Sequence, residues 1–271
     1  DVTATVSCQP LIVASILSKK LAEGLDGLVM DIKTGNGAVL SDHAQAAALG
    51  QAIVDVAEQA GLGCTALLTD MNQPLASSAG NALEVAEAIA FLRGEQPNPR
   101  LAEVVFGLCV ELLVIGDLEK DPQRARERLE QALLGGEAAE RFARLVALQG
   151  GPADLLDRPA YYLAEAAEQH VVEAPGPGYV TAIDTRALGR LVGQLGGGRM
   201  RADQTINPAV GLSKLPCLGQ QFQKGEPLAL VHAASPADAT LAIEGVLGAV
   251  EIAGQPPRQL PPTIHRRLTS G

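Results

Sequence analysis

The sequence carries no cysteine framework. Cys8, Cys64, Cys109 and Cys217 are scattered along 271 residues without a CxxC pair, which excludes a disulfide-stapled scaffold. Histidine is equally sparse. His43, His170, His232 and His265 stand far apart, with neither HxxxH nor HExxH spacing, so no metal centre of the zinc type is expected. Basic residues are the minority, 21 Lys and Arg against 31 Asp and Glu. A net charge of −10 argues against a general nucleic-acid surface or an anionic-membrane surface. No apolar run approaches the roughly 20 residues that span a bilayer, and no basic-then-apolar signal opens the sequence. A cytoplasmic setting with reduced thiols is the expectation. Gly35-Asn36-Gly37 lacks the third glycine of a dinucleotide fingerprint, and no G-x-S-x-G elbow is present. No cofactor is expected.

What remains is a globular chain, 47% hydrophobic, long enough for one large domain or two smaller ones with a sizeable core. Its most informative stretch runs from Ser15 to Ala38. Ile16, Leu17, Leu21 and Ala22 repeat at helical spacing, and Gly24 closes the helix. Gly27 to Ile32 is short, apolar and β-branched, the pattern of a buried strand. Gly35-Asn36-Gly37 then permits a tight turn or a close approach to a ligand. Ser15 and Lys19 are four apart, so a helix puts both on one face. A hydroxyl and an ammonium presented together suit carbonyl oxygens. On spacing alone a solvated helix face is the plainer reading.

Further along, Leu49, Ile53, Val56, Ala57 and Ala60 predict one face of a helix that begins near Asp42 and stops at Gly61. Thr65 to Leu68 reads as a second buried strand, giving the strand–helix–strand signal of a parallel sheet. The polar loop from Asp70 lies where open α/β sheets bind ligands, and leads into a helix ending at Arg93. Helices are expected over 101–115, 121–134 and 137–148. Val171-Val172 and Tyr179-Val180 flank Pro175-Gly176-Pro177-Gly178 and suggest two strands around a turn. Asp184 caps a short helix to Leu195. Short strands are expected around 210–212 and 227–231, a last helix over 236–252, and a stiff proline-marked tail after it. Gly196-Gly197-Gly198 with Arg199 and Arg201 is either a phosphate cradle or, more commonly, a helix stop beside surface charge. The fold class is α/β, a mostly parallel sheet covered by helices. A smaller C-terminal α+β subdomain is expected over 165–271.

Several blocks carry a resemblance. D-V-T-A-T-V at 1–6, S-I-L-S-K-K-L-A-E-G at 15–24, M-D-I-K-T-G-N-G-A at 30–38 and L-L-T-D-M-N-Q-P-L-A-S-S-A-G-N-A-L-E-V at 67–85 resemble the thymidine phosphorylase branch of the pyrimidine nucleoside phosphorylases. D-T-R-A-L-G at 184–189 and L-G-G-G-R at 195–199 extend the match. Anthranilate phosphoribosyltransferase is similar in fold type but not in these motifs. The resemblance implies that residues 1–22 are a remnant of a helical domain and 23–164 the central α/β domain of a cleft enzyme, which splits thymidine with phosphate into thymine and 2-deoxy-α-D-ribose 1-phosphate in pyrimidine salvage. It acts on thymidine or a related pyrimidine nucleoside and inorganic phosphate, needs neither nucleic acid nor membrane, and is a homodimer.

Carried over residue by residue, the resemblance makes Ser15 and Lys19 the base-binding pair of an S-x3-K pattern. Val6, Ile12 and Ile16 match apolar positions lining the base, and Val39 stands where some relatives carry Phe, opening that wall. No residue of this sequence is assigned as catalytic, and none as a metal ligand. The family's phosphate-binding Lys, Ser and Thr, a pocket His, and the Arg directly before D-V-T-A-T-V stand upstream of everything in this sequence. The expectation is therefore a C-terminal portion that is inactive alone. A non-catalytic homologue with at most weak pyrimidine binding is the alternative.

Overall fold

The structure, a computed structural model, describes residues 8–95, 98–199 and 201–270. Its elements in chain order are α1 (Gln9–Ala22), β1 (Gly27–Thr34), α2 (His43–Gln59), β2 (Gly63–Asp70), α3 (Asn81–Leu92), α4 (Pro99–Ile115), α5 (Pro122–Leu134), α6 (Glu137–Leu148) and α7 (Pro159–Tyr162). There follow β3 (Glu168–Glu173), β4 (Gly178–Ile183), α8 (Thr185–Gln194), β5 (Gly211–Ser213), β6 (Gln221–Phe222), β7 (Pro227–Ala233), α9 (Pro236–Ala249), β8 (Val250–Ala253) and β9 (Ile264–Leu268). The chain divides into two compact units, one of residues 1–71, 99–131 and 261–271, the other of 72–98 and 132–260. The architecture is mixed α/β.

In the first unit β1 and β2 run parallel in strict register from Gly27↔Gly63 to Thr34↔Asp70. Parallel strands need a crossover, and α2 supplies it. Asp42 accepts from the Gln45 amide at 2.8 Å to cap α2. Ala46, Leu49, Gly50, Ile53, Val54 and Ala57 form its buried stripe at i, i+3, i+4, i+7, i+8, i+11. Val56 and Ala60, expected on that face, are exposed, because the stripe centres between Ile53 and Ala57. Gly61, at φ 81°, ends the helix: its amide reaches Glu58 O, and that of Leu62 reaches Ala57 O.

The proline-marked tail is more than a tail. After Pro261 and Pro262 the chain returns as β9, antiparallel to β2, with Ala66↔Leu268 in register and Leu268 buried. The order β1-β2-β9 is thus a parallel pair with an antiparallel third strand. Leu268 joins the core of Val13, Leu17, Leu28, Ile32, Ile53 and Leu68.

The second unit holds two antiparallel sheets, ordered β3-β7-β5 and β6-β4-β8. The strands flanking Pro175–Gly178 are real but not partners. β3 pairs with β7, and β4 pairs with β6 and β8, because each buries its apolar residues against α8 and α9 in a common core. The last helix is shorter than its apolar pattern suggests. It stops at Ala249, and Val250 turns extended at φ −116°, ψ 118°. Val250 and Ile252 then sit opposite Ile183 and Val180, where β-branched side chains fit a pleated surface better than a helix.

Candidate functional site

The first unit presents a hollow of about 350 Å³ at the carboxyl end of β1. Ile12 and Ile16 from α1, Met30 to Lys33 from β1, Val39 and Leu40 from the following loop, and Leu49 from α2 line it. The loop turns at Gly35, whose φ of 105° favours glycine. The Gly35 amide donates to Ser41 O at 3.2 Å and that of Gly37 to Met71 O at 2.9 Å. The loop is thereby tied to both ends of itself and to the strand beside it.

Helix α1 explains how one element serves both core and site. Val13 and Leu17 are buried, and at 100° per residue Ile12 and Ile16 fall beside that seam. Ser15 and Lys19 fall one step further round, both exposed. Lys19 Nζ donates to Ser15 Oγ at 3.3 Å, so the two are joined as the spacing requires. They stand off the wall of the hollow, which Ile12, Ile16 and Val39 share. Val39 is 74% exposed. Val6 lies outside the described residues.

A charged network on β1 was not singled out from the sequence. Asp31 and Lys33 are two apart on β1 and share a face, and Lys33 faces Thr69 across the ladder. Lys33 Nζ donates to Asp31 Oδ2 at 2.6 Å and to Thr69 Oγ1 at 2.9 Å, and Thr69 Oγ1 donates to Asp31 Oδ1 at 2.5 Å. Thr69 is fully buried; Asp31 and Lys33 are among the residues around the hollow, with their side chains on the face of β1 opposite Met30 and Ile32. The available signal was the D-x-K spacing inside an apolar strand, where two charges on one face need a common reason.

Other polar groups are committed elsewhere. Asp70, fully buried, accepts from Arg100 at 3.2 Å and has His265 Nε2 at 3.7 Å. In the loop of the second unit, the Ser77 amide and hydroxyl donate to Glu87 Oε1 at 2.9 Å, and the Ser78 hydroxyl donates to Oε2. The triple glycine is a helix stop: Gly196 and Gly197 give their amides to Gly193 O and Val192 O, and Arg201 pairs with Asp203 at 2.9 Å. His232 is held by Ser213 Oγ at 2.8 Å. Burial pushes its pKa below the ordinary 6.5, with Glu165 opposing and Lys214 adding to that shift. Among the described residues no group of three or more His, Cys, Asp or Glu is placed to hold a metal ion, and no helix is long and apolar enough to cross a membrane.

Residues 2–139 match the glycosyl transferase family a/b domain, and residues 179–253 the pyrimidine nucleoside phosphorylase C-terminal domain. The first match is described as an α/β domain, and helices and strands alternate from α1 to α3 in that stretch. Proteins called thymidine phosphorylase from Burkholderia cenocepacia (strain HI2424) and Burkholderia orbicola (strain AU 1054) are each 53% identical over 268 residues. A third, from Burkholderia orbicola (strain MC0-3), is 52% identical over the same length. The chain belongs to the thymidine phosphorylase family of glycosyl transferases. Each alignment covers 99% of this chain and 61% of the relative, so the chain spans about three fifths of the length of these relatives.

Proposed function

We propose that this chain forms the base-binding part of a thymidine phosphorylase, a pentosyltransferase that reversibly converts thymidine and phosphate into thymine and 2-deoxy-α-D-ribose 1-phosphate. The observation that supports it is the apolar hollow bordered by Ile12, Ile16 and Val39 beside the linked Ser15–Lys19 pair. A pyrimidine ring is flat and largely apolar, with carbonyl oxygens on its edge. Apolar walls take the ring, and a hydroxyl with an ammonium takes the carbonyls.

In the reaction a phosphate oxygen attacks the anomeric carbon from the side opposite the base. The bond from that carbon to the ring nitrogen breaks, and its electron pair leaves with the pyrimidine. Charge therefore develops on the base carbonyls, where Lys19 stabilises it and Ser15 donates a hydrogen bond. No covalent enzyme intermediate forms. The enzyme's share is to hold two reactants in line, which is worth roughly 7–11 kcal/mol of barrier. We further infer a cytoplasmic enzyme that works as a homodimer.

Lys19→Ala in the full-length protein is the test. Thymidine kcat/KM should fall by about 10²-fold or more, as for loss of a group that stabilises transition-state charge. The melting temperature should hardly move, because Lys19 is exposed. Unchanged kinetics would sink the assignment.

A further inference from the structure

We propose that a cavity in the second unit, walled by α3, the 159–166 segment and the β3-β7-β5 sheet, binds a small organic ammonium, a protonated primary amine on an apolar body. The site is independent of the nucleoside phosphorolysis reading, because neither thymidine nor phosphate carries a positive charge.

Sheet register decides which side chains reach the cavity. Gln169 on β3, His232 on β7 and Gly211 on β5 stand opposite one another, so their side-chain positions share one face. Ala229, Val231 and Ala233 alternate to the other face, in the core with Ala239, Ala242 and Val246 of α9. A methyl at Gly211 would come within 3.0 Å of Leu83 Cδ1, so α3 covers the Gln169–His232 face. The cavity there measures about 330 Å³, with Leu83, Ala86, Pro159 and Leu163 in its apolar wall and Glu165, Gln169 and His232 as its polar members.

The polar members then select the ligand. His232 Nε2 is taken by Ser213 Oγ at 2.8 Å. Its Nδ1 has no hydrogen-bond partner among the described residues, yet it is not one of the sealed side-chain atoms left without one. It therefore reaches open space, and the cavity is the space the ring borders. In the tautomer whose Nε2–H donates to Ser213 Oγ, Nδ1 is an acceptor. Among the described residues lining the cavity, Glu165 alone is charged. Lys214, whose charge opposes that of Glu165 at His232, is not part of the wall. Burial keeps the imidazole neutral at pH 7, so the wall offers one negative charge and the acceptors of Nδ1 and the Gln169 amide. An ammonium brings three N–H donors and the opposite charge. An anion is repelled by the carboxylate, and an alcohol brings one donor without charge. The volume lies at the small end of ligand sites, room for a single-ring body.

An unfilled packing gap is the competing reading, and it makes a different forecast. A gap admits apolar bodies whatever their head group. The experiment is a ligand-observed NMR titration of the full-length protein at pH 7 with benzylammonium, benzyl alcohol and benzoate, which share one ring and differ in the head group. Benzylammonium should bind about 10-fold or more tightly than either of the others, the difference a charge-assisted hydrogen bond makes. Glu165→Gln should weaken benzylammonium by about 10-fold and leave benzyl alcohol within about 3-fold. Ala86→Phe, which fills the cavity from an exposed position of α3, should abolish benzylammonium binding. Excess thymidine should not displace the probe. No benzylammonium binding to wild type, equal affinity for the three probes, undiminished binding in either variant, or displacement by thymidine would overturn the proposal. Thermal melts accompany each variant, and should Ala86→Phe fail to fold, Glu165→Gln alone decides.

Discussion

At the scale of single residues, burial decides which groups react. Cys64 lies on β2 with its side chain in the core, and its amide is bonded to Glu58 Oε1 at 3.0 Å. Desolvation, then the Glu58 charge, pushes its thiol up to about 11. The thiolate is the nucleophile, so Cys64 should stay unlabelled at pH 8 while exposed Cys8 reacts. Mass spectrometry after brief iodoacetamide treatment of the native protein checks this, and early modification of Cys64 would contradict the packing of β2.

His232 gives a pH prediction with a definite sign. Its folded pKa is held below the unfolded value of about 6.5 by burial. The unfolded chain therefore binds the proton more readily, and stability rises with pH across that interval. The contribution is complete above about pH 6.5 and is lost as pH falls through the lowered folded value. Urea melts between pH 7.5 and 5 should show wild type losing stability faster than His232→Gln. Parallel curves would mean the imidazole is not desolvated. Little of this was legible in advance. Four scattered histidines exclude a zinc spacing, but only the register of β5 on β7, which brings Ser213 to His232, shows which one is buried.

At the scale of elements, helix glycines separate close packing from open surface. A methyl at Gly50 of α2 would come within 2.7 Å of Leu268 Cδ1 and 3.3 Å of Ile32 Cγ1. Gly50→Val should therefore cost about 1–3 kcal/mol through overpacking. Gly189 of α8 is exposed, and a methyl there meets nothing within 4 Å. Gly189→Ala should stabilise by roughly 0.5–1 kcal/mol, the propensity difference alone. Thermal melts of the two variants should shift in opposite directions.

The same contact bears on β9. Leu268 is 2% exposed, and Leu268→Ala should cost about 2–5 kcal/mol, a value no dispensable tail would give. Its neighbour Arg267 adds a two-pronged pair to Glu111 at 2.6 and 2.9 Å, half-exposed and worth little by comparison. The strand escaped the sequence reading because Ile264-His265-Arg266-Arg267-Leu268 has apolar residues only at its ends. Prolines before it signalled stiffness, and nothing local signalled a partner strand as distant in sequence as β2.

At the scale of the molecule, the chain spans about three fifths of the length of the relatives it matches. In the function proposed above, Ser15, Lys19 and the hollow would serve the base side of the reaction. The resemblance places the phosphate-holding groups outside these residues. The expected outcome is that the 271-residue chain, incubated with thymidine and phosphate, releases no thymine above a no-enzyme control. Release that is abolished by Lys19→Ala would mean the phosphate site has been misplaced. Leu11 and Leu21 on α1 are 50% and 41% exposed, apolar surface of the kind that partners cover. Light scattering of this chain should show monomer or aggregate, and a clean dimer would contradict that.

Sequence alone determined the parts whose signals are local. Apolar runs of one period marked β1, β2, α2 and α8, caps such as Asp42 and Asp184 fixed where helices begin, and the four-residue spacing joined Ser15 to Lys19. Long motif blocks determined the family. Tertiary structure decided the rest, because the deciding energies come from residues distant in the chain. Pairing with β4 ended α9 at Ala249, and pairing with β2 made a strand of the tail. The parallel register set Thr69 beneath Asp31 and Lys33. Hydrogen-bond partners across a ladder are chosen by which strands lie side by side, and a one-dimensional pattern carries the face of a residue but not its neighbour.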